Sequence, residues 1–348
     1  MVTIGVDPHK ETHSAVATDQ LGSELSRCTE PAVQEGFGLL LVWARALDQD
    51  RVWVLEDCRH VSGPFERFLI DHGETVVRLP PRLMAGARDS IREPGKSDPI
   101  DALAIARAAL REGIETLPAA RLAGPELEIR LLCVHRQRLV DARTRLANQL
   151  RWELHDLWPG WSTSRARLRS LTTQQQIARR LSRAEPTIRV RIARDMIRRI
   201  RDLTRSINEL HQELAELVAQ VAPQLLAENG LGVITAAKLI GEIAGVDRFT
   251  SDAQLARLAG CAPVPVSSGR TDRYRLDRGG NRQLNHAIHM LALSRIRHDP
   301  QTALYMAKQR RRGKTQREAI RCLKRHLVRR IYNLLRTPNE VPITLCLT

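Results

Sequence analysis

The chain has 348 residues, enough for two or three domains with real cores, and its 55 Lys and Arg against 39 Asp and Glu leave a net charge of +16. That balance, carried mostly by Arg, selects a polyanionic partner, with nucleic acid ahead of an anionic membrane surface. Six scattered cysteines without a CxxC exclude a zinc knuckle or disulfide framework, and 3% aromatics argue against base stacking as the main grip on single strands. No apolar run is long enough to span a bilayer, and the start lacks a signal peptide's segments, so the chain reads as cytoplasmic.

Val2-Thr3-Ile4-Gly5-Val6-Asp7 reads as a strand closed by an acid. Residues 14–19 and 23–28, with a turn at Gly22, complete an antiparallel meander. Helical spacing at Phe37, Leu40, Leu41, Ala44 and Leu47 leads to a strand over 51–55 that ends at Glu56. A helix around Phe65, Phe68 and Leu69 and a strand over 75–79 come next. Pro80-Pro81 breaks the pattern, and a short helix precedes the next long one. A meander followed by alternating helices and strands predicts a ribonuclease H-like α/β domain over residues 1–120.

The organising stretch is Lys96-Ser97-Asp98-Pro99-Ile100-Asp101-Ala102. Ser97 or Asp98 suits a helix N-cap, Pro99 suits the first helical position, and Ile100, Leu103, Ala104 and Ile105 continue at helical spacing. Asp98 and Asp101 then share one face of the first turn. As a pair they either cap the helix or hold a cation. With Asp7 and Glu56 at neighbouring strand ends they form a four-carboxylate set suited to two Mg²⁺ (or Mn²⁺) ions, which clamp the oxygens of a phosphodiester.

Residues 121–222 read mostly as helix, broken at Leu157-Trp158-Pro159-Gly160-Trp161. Met196, Ile200, Leu203, Ile207, Leu210, Leu214, Leu217 and Val221 alternate spacings of four and three, the seam of a coiled coil. Arg189, Arg191, Arg194, Arg198, Arg199, Arg201 and Arg205 crowd its start as either a solvated face or a phosphate track. In the stretch 223–336, Gly230 to Ala237 looks like a helix-hairpin-helix turn, equally written by a plain helical connection. Gly260-Cys261-Ala262-Pro263-Val264-Pro265-Val266-Ser267-Ser268-Gly269 predicts a defined loop, followed by Arg270, Arg273, Arg275 and Arg278. A serine there either attacks a phosphodiester beside those arginines or is ordinary turn composition. Gly279-Gly280-Asn281 opens a helix, and Thr315-Gln316-Arg317-Glu318 is a capping box before the last one. Residues 337–348 form a tail. Lys96, Arg194, Arg198, Arg270, Arg273, Arg275 and Arg278 are the candidate nucleic-acid contacts.

Gly5-Val6-Asp7, Glu56, the Lys96–Ala102 stretch, the Gly-Leu-Gly turn and Gly260-x-x-Pro263 leading to Ser268-Gly269 occur in that order. This series, spanning residues 3–336, resembles the IS-one-ten (IS110) family of insertion-sequence transposases, the bridge-RNA-guided DNA recombinases. The resemblance implies a RuvC-like N-terminal domain with Asp7, Glu56, Asp98 and Asp101 as its DEDD acids, a coiled-coil middle, and a C-terminal transposase domain whose nucleophile maps onto Ser268, with Ser267 adjacent. It further implies Mg²⁺ at the acids, a covalent serine–DNA link, a structured noncoding guide RNA pairing with donor and target double-stranded DNA, and dimers that assemble into tetramers. The competing expectations are a RuvC-like nuclease or junction resolvase that hydrolyses with water, and a binding protein without chemistry. The second residue after Asp7 is His9, where a DEDD exonuclease expects another acid.

Overall fold

The computed structural model describes residues 1–56, 59–79, 83, 98–117, 119, 124–161, 163–164, 166–268, 271–275, 277 and 279–337. In chain order the elements are β1 (Val2–Pro8), β2 (Thr12–Thr18), β3 (Glu24–Pro31), α1 (Gln34–Leu47), β4 (Arg51–Glu56), α2 (Arg59–Asp71), β5 (Val76–Leu79) and α3 (Asp98–Glu112). Then come α4 (Pro125–Leu157), α5 (Leu171–Ser182), α6 (Ile188–Val221), α7 (Pro223–Leu226), α8 (Val233–Ile243) and α9 (Asp252–Leu258). The chain closes with β6 (Val264–Ser268), β7 (Thr271–Arg275), α10 (Arg282–His298), α11 (Pro300–Arg311) and α12 (Gln316–Arg336). No described helix is long and apolar enough to cross a membrane.

Two compact units form, and neither is one continuous stretch of chain. The first takes Met1–Gly124, Ala244–Asn285 and Gln309–Arg336; Pro125–Ile243 and His286–Lys308 belong to the second.

The first unit is built on a five-stranded sheet of order β3-β2-β1-β4-β5. β1, β2 and β3 form an antiparallel meander, while β4 and β5 run parallel to β1. This is the ribonuclease H-like layout expected from the sequence. Strand alternation sorts the core into two layers. Ile4, Val6, Ala15, Ala17, Trp53 and Leu55 meet Phe37, Leu40, Leu41, Phe65 and Leu69 of α1 and α2. On the opposite face, Val52, Val54, Val77 and Leu79 meet Ala104, Ile105, Ala108 and Ala109 of α3.

Gly5 is what lets α3 lie against β1. A β-carbon there would sit 2.1 Å from the Ala102 carbonyl oxygen and 2.6 Å from the Ala106 nitrogen. The helix answers with small residues, Ala102 and Ala106, both fully buried. The capping box is also present: the Thr315 N–H donates to Glu318 Oε2 at 2.8 Å and the Glu318 N–H to Thr315 Oγ1 at 3.4 Å, opening α12. The short helix expected before α3, and Ser97 as its cap, lie outside the described residues.

The second unit is organised by α4 and α6, which run antiparallel: Arg189 at the start of α6 pairs with Asp156 near the end of α4, and Arg143 donates to Thr204 at 3.5 Å. The fully buried stripe of α6 is Val190, Ala193, Ile197, Ile200, Thr204, Ile207, Leu214 and Val218. It shares Ile200, Ile207 and Leu214 with the seam expected from the sequence. At Ile197, Thr204 and Val218 it runs one residue later. The displacement has a polar cause. Buried Gln174 of α5 donates to Thr204 Oγ1 at 3.0 Å and to the Leu168 carbonyl at 2.7 Å, which turns Thr204 inward in place of Leu203.

Gly5→Ala should separate α3 from β1. We expect a loss of about 3 kcal/mol or more, typical of a strongly overpacked contact, read as a lowered Tm with the secondary structure content of the second unit retained.

Candidate active site

The C-terminal end of β1 and the first turn of α3 meet on the sheet face that Gly5 opens. Asp7 lies two residues beyond Gly5, so alternation turns its side chain to that face. Asp98 and Asp101 occupy the first turn of α3, with Asp101 buried and Asp98 half-buried. His9, just past the strand, joins them. Its Nε2 lies 3.1 Å from Asp7 Oδ2 and 3.3 Å from Asp98 Oδ1. One ligand atom each from Asp7, His9 and Asp98 fall within 4.8 Å of one another.

Burial pushes the Asp7 carboxyl above its ordinary pKa; His9 pulls it down, and the neighbouring charges of Asp101 and Asp98 push it up again. Asp7, Asp98 and Asp101 bring three carboxylates to one edge beside the His9 imidazole, a concentration of negative charge that favours a cation. The carboxylate oxygens fit a hard divalent cation of the kind the DEDD architecture implies, while the His9 nitrogen suits softer metals and otherwise serves as a hydrogen-bond partner of Asp7. Asp7, Asp98 and Asp101 are the residues that would hold it.

Glu56 closes β4. The parallel register pairs Val6 with Leu55, so Asp7 and Glu56 are the next residues along two adjacent strands. Glu56 follows Val52 and Val54 on the face covered by α3, and is half-buried. The backbone thus sets all four acids at one edge of one face. His9 is the residue of the cluster that the sequence does not assign to it. Its one signal is position, a titratable group two residues after the first acid, which by itself marks only a missing carboxylate.

Ser268 and Ser267 lie elsewhere, at the end of β6, paired through the backbone with Thr271 and Asp272 of β7. The expected serine loop is therefore largely a β-hairpin. Alternating Val264, Val266 and Thr271 favour extended chain, and Pro265 is tolerated because a two-stranded sheet has only edges. Both ends of the hairpin are held at one point. The Asn285 amide donates to the Ala259 carbonyl at 2.6 Å and the Gly260 carbonyl at 3.2 Å, and the Asn281 N–H donates to the Leu258 carbonyl at 2.6 Å. Gly280 packs so closely that a β-carbon would lie 2.1 Å from the Gly260 nitrogen. Buried Lys324 completes the anchor by donating to Asn285 Oδ1 at 2.6 Å, and burial lowers its pKa.

The expected nucleic-acid contacts fare unevenly. Lys96, Arg270 and Arg278 lie outside the described residues. Arg273 and Arg275 stand on β7, with Arg275 exposed at its end. Arg194 is already bonded, donating to the Leu181 carbonyl from Nε at 3.0 Å and Nη2 at 2.7 Å, which closes the end of α5. Arg198 and Arg199 both reach Asp195, and Arg205 reaches Asp202. Acids one turn away thus occupy much of the arginine track. The Gly230-Leu231-Gly232 turn leads into α8; Gly230 has φ +84°, and Arg295 donates to the Asn229 carbonyl at 2.9 Å.

A transposase family model of the IS110 DEDD type matches residues 4–159, and the model of the transposase IS116/IS110/IS902 family matches residues 222–307. Asp7, Glu56, Asp98 and Asp101 fall in the first range and Ser268 in the second. The insertion element IS116 44.8 kDa protein of Streptomyces clavuligerus is 26% identical over 383 aligned positions, covering 96% of this chain and 94% of that protein. The insertion element IS110 43.6 kDa protein of Streptomyces coelicolor is 37% identical over 117 residues, 33% of this chain and 29% of that protein. A solved structure of T. thermophilus RuvC in complex with a Holliday junction substrate aligns with 34% of this chain and 99% of that chain at 18% identity. Its TM-score of 0.27 is too low to bear on the fold.

Because its pKa in the folded chain lies above the unfolded value, Asp7 favours folding most when protonated, and that contribution fades as pH rises through the folded-state value. In metal-free protein at neutral pH, Asp7→Asn is therefore expected to raise Tm, and a divalent cation, Mg²⁺ or Mn²⁺, is expected to raise the Tm of the wild type and not that of the variant. A calorimetric scan with and without Mg²⁺ reads both. Asn285→Ala leaves Lys324 buried without its acceptor and should cost about 1–3 kcal/mol, measured by denaturant unfolding.

Proposed function

Because the chain belongs to the IS110 family of transposases, and so is an enzyme acting on DNA, we propose that it cuts and rejoins DNA through a covalent link to Ser268, with Asp7, Glu56, Asp98 and Asp101 as its acidic centre. The observation that carries this reading is the convergence of Asp7, Asp98 and His9 beside Asp101 at the edge opened by Gly5. A solvated strand end and an ordinary helix cap have no reason to share one imidazole.

In the chemistry proposed, Ser268 Oγ forms a bond to the scissile phosphorus as its proton leaves to solvent. The bond from phosphorus to the departing DNA oxygen breaks, and that oxygen takes up a proton. A hydroxyl of the second DNA then attacks the phosphoserine, restores a phosphodiester and returns the serine. Bond energy is conserved through the link, so no external energy source is needed. A divalent cation, Mg²⁺ or Mn²⁺, held by the acids would supply positive charge to offset the charge developing on the phosphate. Asp7, Asp98 and Asp101 orient that centre, and the clamp at Asn285 and Lys324 fixes the base of the hairpin bearing the serine. Arg275, at the end of β7, is placed to meet the strand, with Arg270, Arg273 and Arg278 as its companions.

On this reading residues 1–120 form the acidic domain, 121–222 a helical region in which the antiparallel α4 and α6 pair as a coiled coil within the chain, and 223–336 the transposase domain, whose Gly230 turn acts as a helix-hairpin-helix contact to phosphate. The partners are donor and target double-stranded DNA and a structured guide RNA. The protein works in the bacterial cytoplasm at the nucleoid, as a dimer that assembles to a tetramer. Sequence choice then lies in RNA pairing.

The test starts from RNA that co-purifies with the protein, sequenced and returned with matching donor and target DNA in Mg²⁺. Asp7→Ala and Asp101→Ala should each lose recombination by at least about a thousandfold while keeping DNA affinity. Ser268→Ala should lose the protein–DNA adduct seen on denaturing gels, and Ser267→Ala should keep it. Adducts from Ser268→Ala but not from Ser267→Ala would move the nucleophile by one residue. Unimpaired strand cleavage by both would assign the attack to water.

A further inference from the structure

The second unit holds a pocket that the proposed catalysis does not use. The Trp158-Pro159-Gly160-Trp161 segment is a tight turn in which the Trp161 N–H donates to the Trp158 carbonyl at 3.0 Å. Pro159 occupies its second position and Gly160, with φ +85°, its third, as a type II turn requires. A β-carbon on Gly160 would meet nothing within 4 Å, so the backbone angle and not crowding calls for glycine. The turn sets the two indoles edge to face at 6.1 Å, and the Arg180 guanidinium lies 4.0 Å above the Trp158 ring.

Beside this turn opens a cavity of about 590 Å³ lined by Asn148, Arg151, Trp152, His155, Trp161 and Thr163, with Gly160 at its margin. Trp158 and Trp161 also pack partly against the core of α4, α5 and α6. Trp152 does not: it is 72% exposed, with His155 edge-on at 6.3 Å. Three of the five tryptophans in a chain with 3% aromatics thus stand within ten residues, one with its face to solvent. The charge is equally biased. The acids flanking Trp152 in sequence, Glu153 and Asp156, engage Arg189, while Arg151 makes no ion pair among the described residues.

We propose that this pocket takes one unpaired nucleotide of a single-stranded nucleic acid, with its base stacked on Trp152, its edge read by Asn148 and its phosphate met by Arg151. The volume lies in the range of small-ligand sites. An aromatic face beside arginines is the chemistry that grips unpaired bases, whereas a duplex keeps its base faces covered. The inference rests on the reading of this chain as a nucleic-acid enzyme and adds to it a specific single-strand site. It uses neither the carboxylates nor Ser268, so it stands or fails separately from the proposed catalysis.

The experiment uses the full chain with short fluorescein-labelled oligouridine RNA, oligothymidine DNA and a duplex, followed by anisotropy, and with the unlabelled strands followed by tryptophan fluorescence. Single strands should quench the fluorescence. Trp152→Ala should weaken single-strand binding about tenfold, the effect of losing one stacked base, and leave duplex binding unchanged. Trp152→Phe should restore most of the loss. Tighter binding of RNA assigns the nucleotide to the guide, and tighter binding of DNA to an opened strand. Equal affinities for wild type and Trp152→Ala would overturn the proposal. So would parallel loss of single-strand and duplex binding, or a change of oligomeric state on sedimentation with single-strand affinity intact, which would make the surface a contact between copies.

Discussion

The closeness of α3 to β1 is the constraint on which the acidic centre depends. A helix packed on a sheet through ordinary side chains stands too far off for its first turn to share ligands with a strand end. Gly5 removes the obstacle on the strand, and Ala102 and Ala106 remove it on the helix. The resulting geometry brings Asp98 and Asp101 to Asp7 without any loop having to carry them. Carboxylates held on regular elements stay where a metal or a phosphate needs them.

The two ends of the same sheet show opposite electrostatics. Before β5, Glu74 is also buried, yet hydrogen bonds from Arg51 at 2.7 and 2.5 Å, Trp53 at 3.0 Å and Arg45 at 3.3 Å outweigh its burial and draw its pKa down. That acid is fully satisfied, a structural staple between strands. At the other end Asp7 has one imidazole, shared with Asp98, and its pKa moves up. Buried acids are therefore not equivalent indicators of chemistry. The informative one is the acid whose surroundings supply too few donors.

Much of this was legible in the chain itself. The meander, the parallel strands and the helix opening at Asp98 arise from alternation, from helical spacing and from Pro99. The acids were legible because each closes a strand or opens a helix. His9 was not, because a single imidazole between polar neighbours has no spacing partner until the fold brings Asp98 back beside it. The hairpin bearing Ser268 was hidden by its prolines and glycine, which write a turn more loudly than Val264 and Val266 write a strand. In α6 the apolar pattern chose Leu203, but the buried face obeys the hydrogen bond between Gln174 and Thr204, which no hydrophobic period encodes. Arg194 read as a phosphate ligand because its acceptor, a carbonyl thirteen residues back, leaves no trace in composition.

The interleaving of the two units along the chain bears on how the molecule is made. The sheet-bearing unit is fastened by contacts between its first and later segments, such as Arg257 with Glu112 at 3.0 Å and the Arg248 guanidinium with the Ala119 carbonyl at 3.2 Å. Those partners are more than a hundred residues apart, and α12 belongs to the same unit. A ribosome releases the N-terminal strands long before it releases the residues that lock them. The acidic edge is thus assembled early, while the unit that contains it closes only once the segment through Arg336 has been made, so its last fastening waits for residues made long after its first strands.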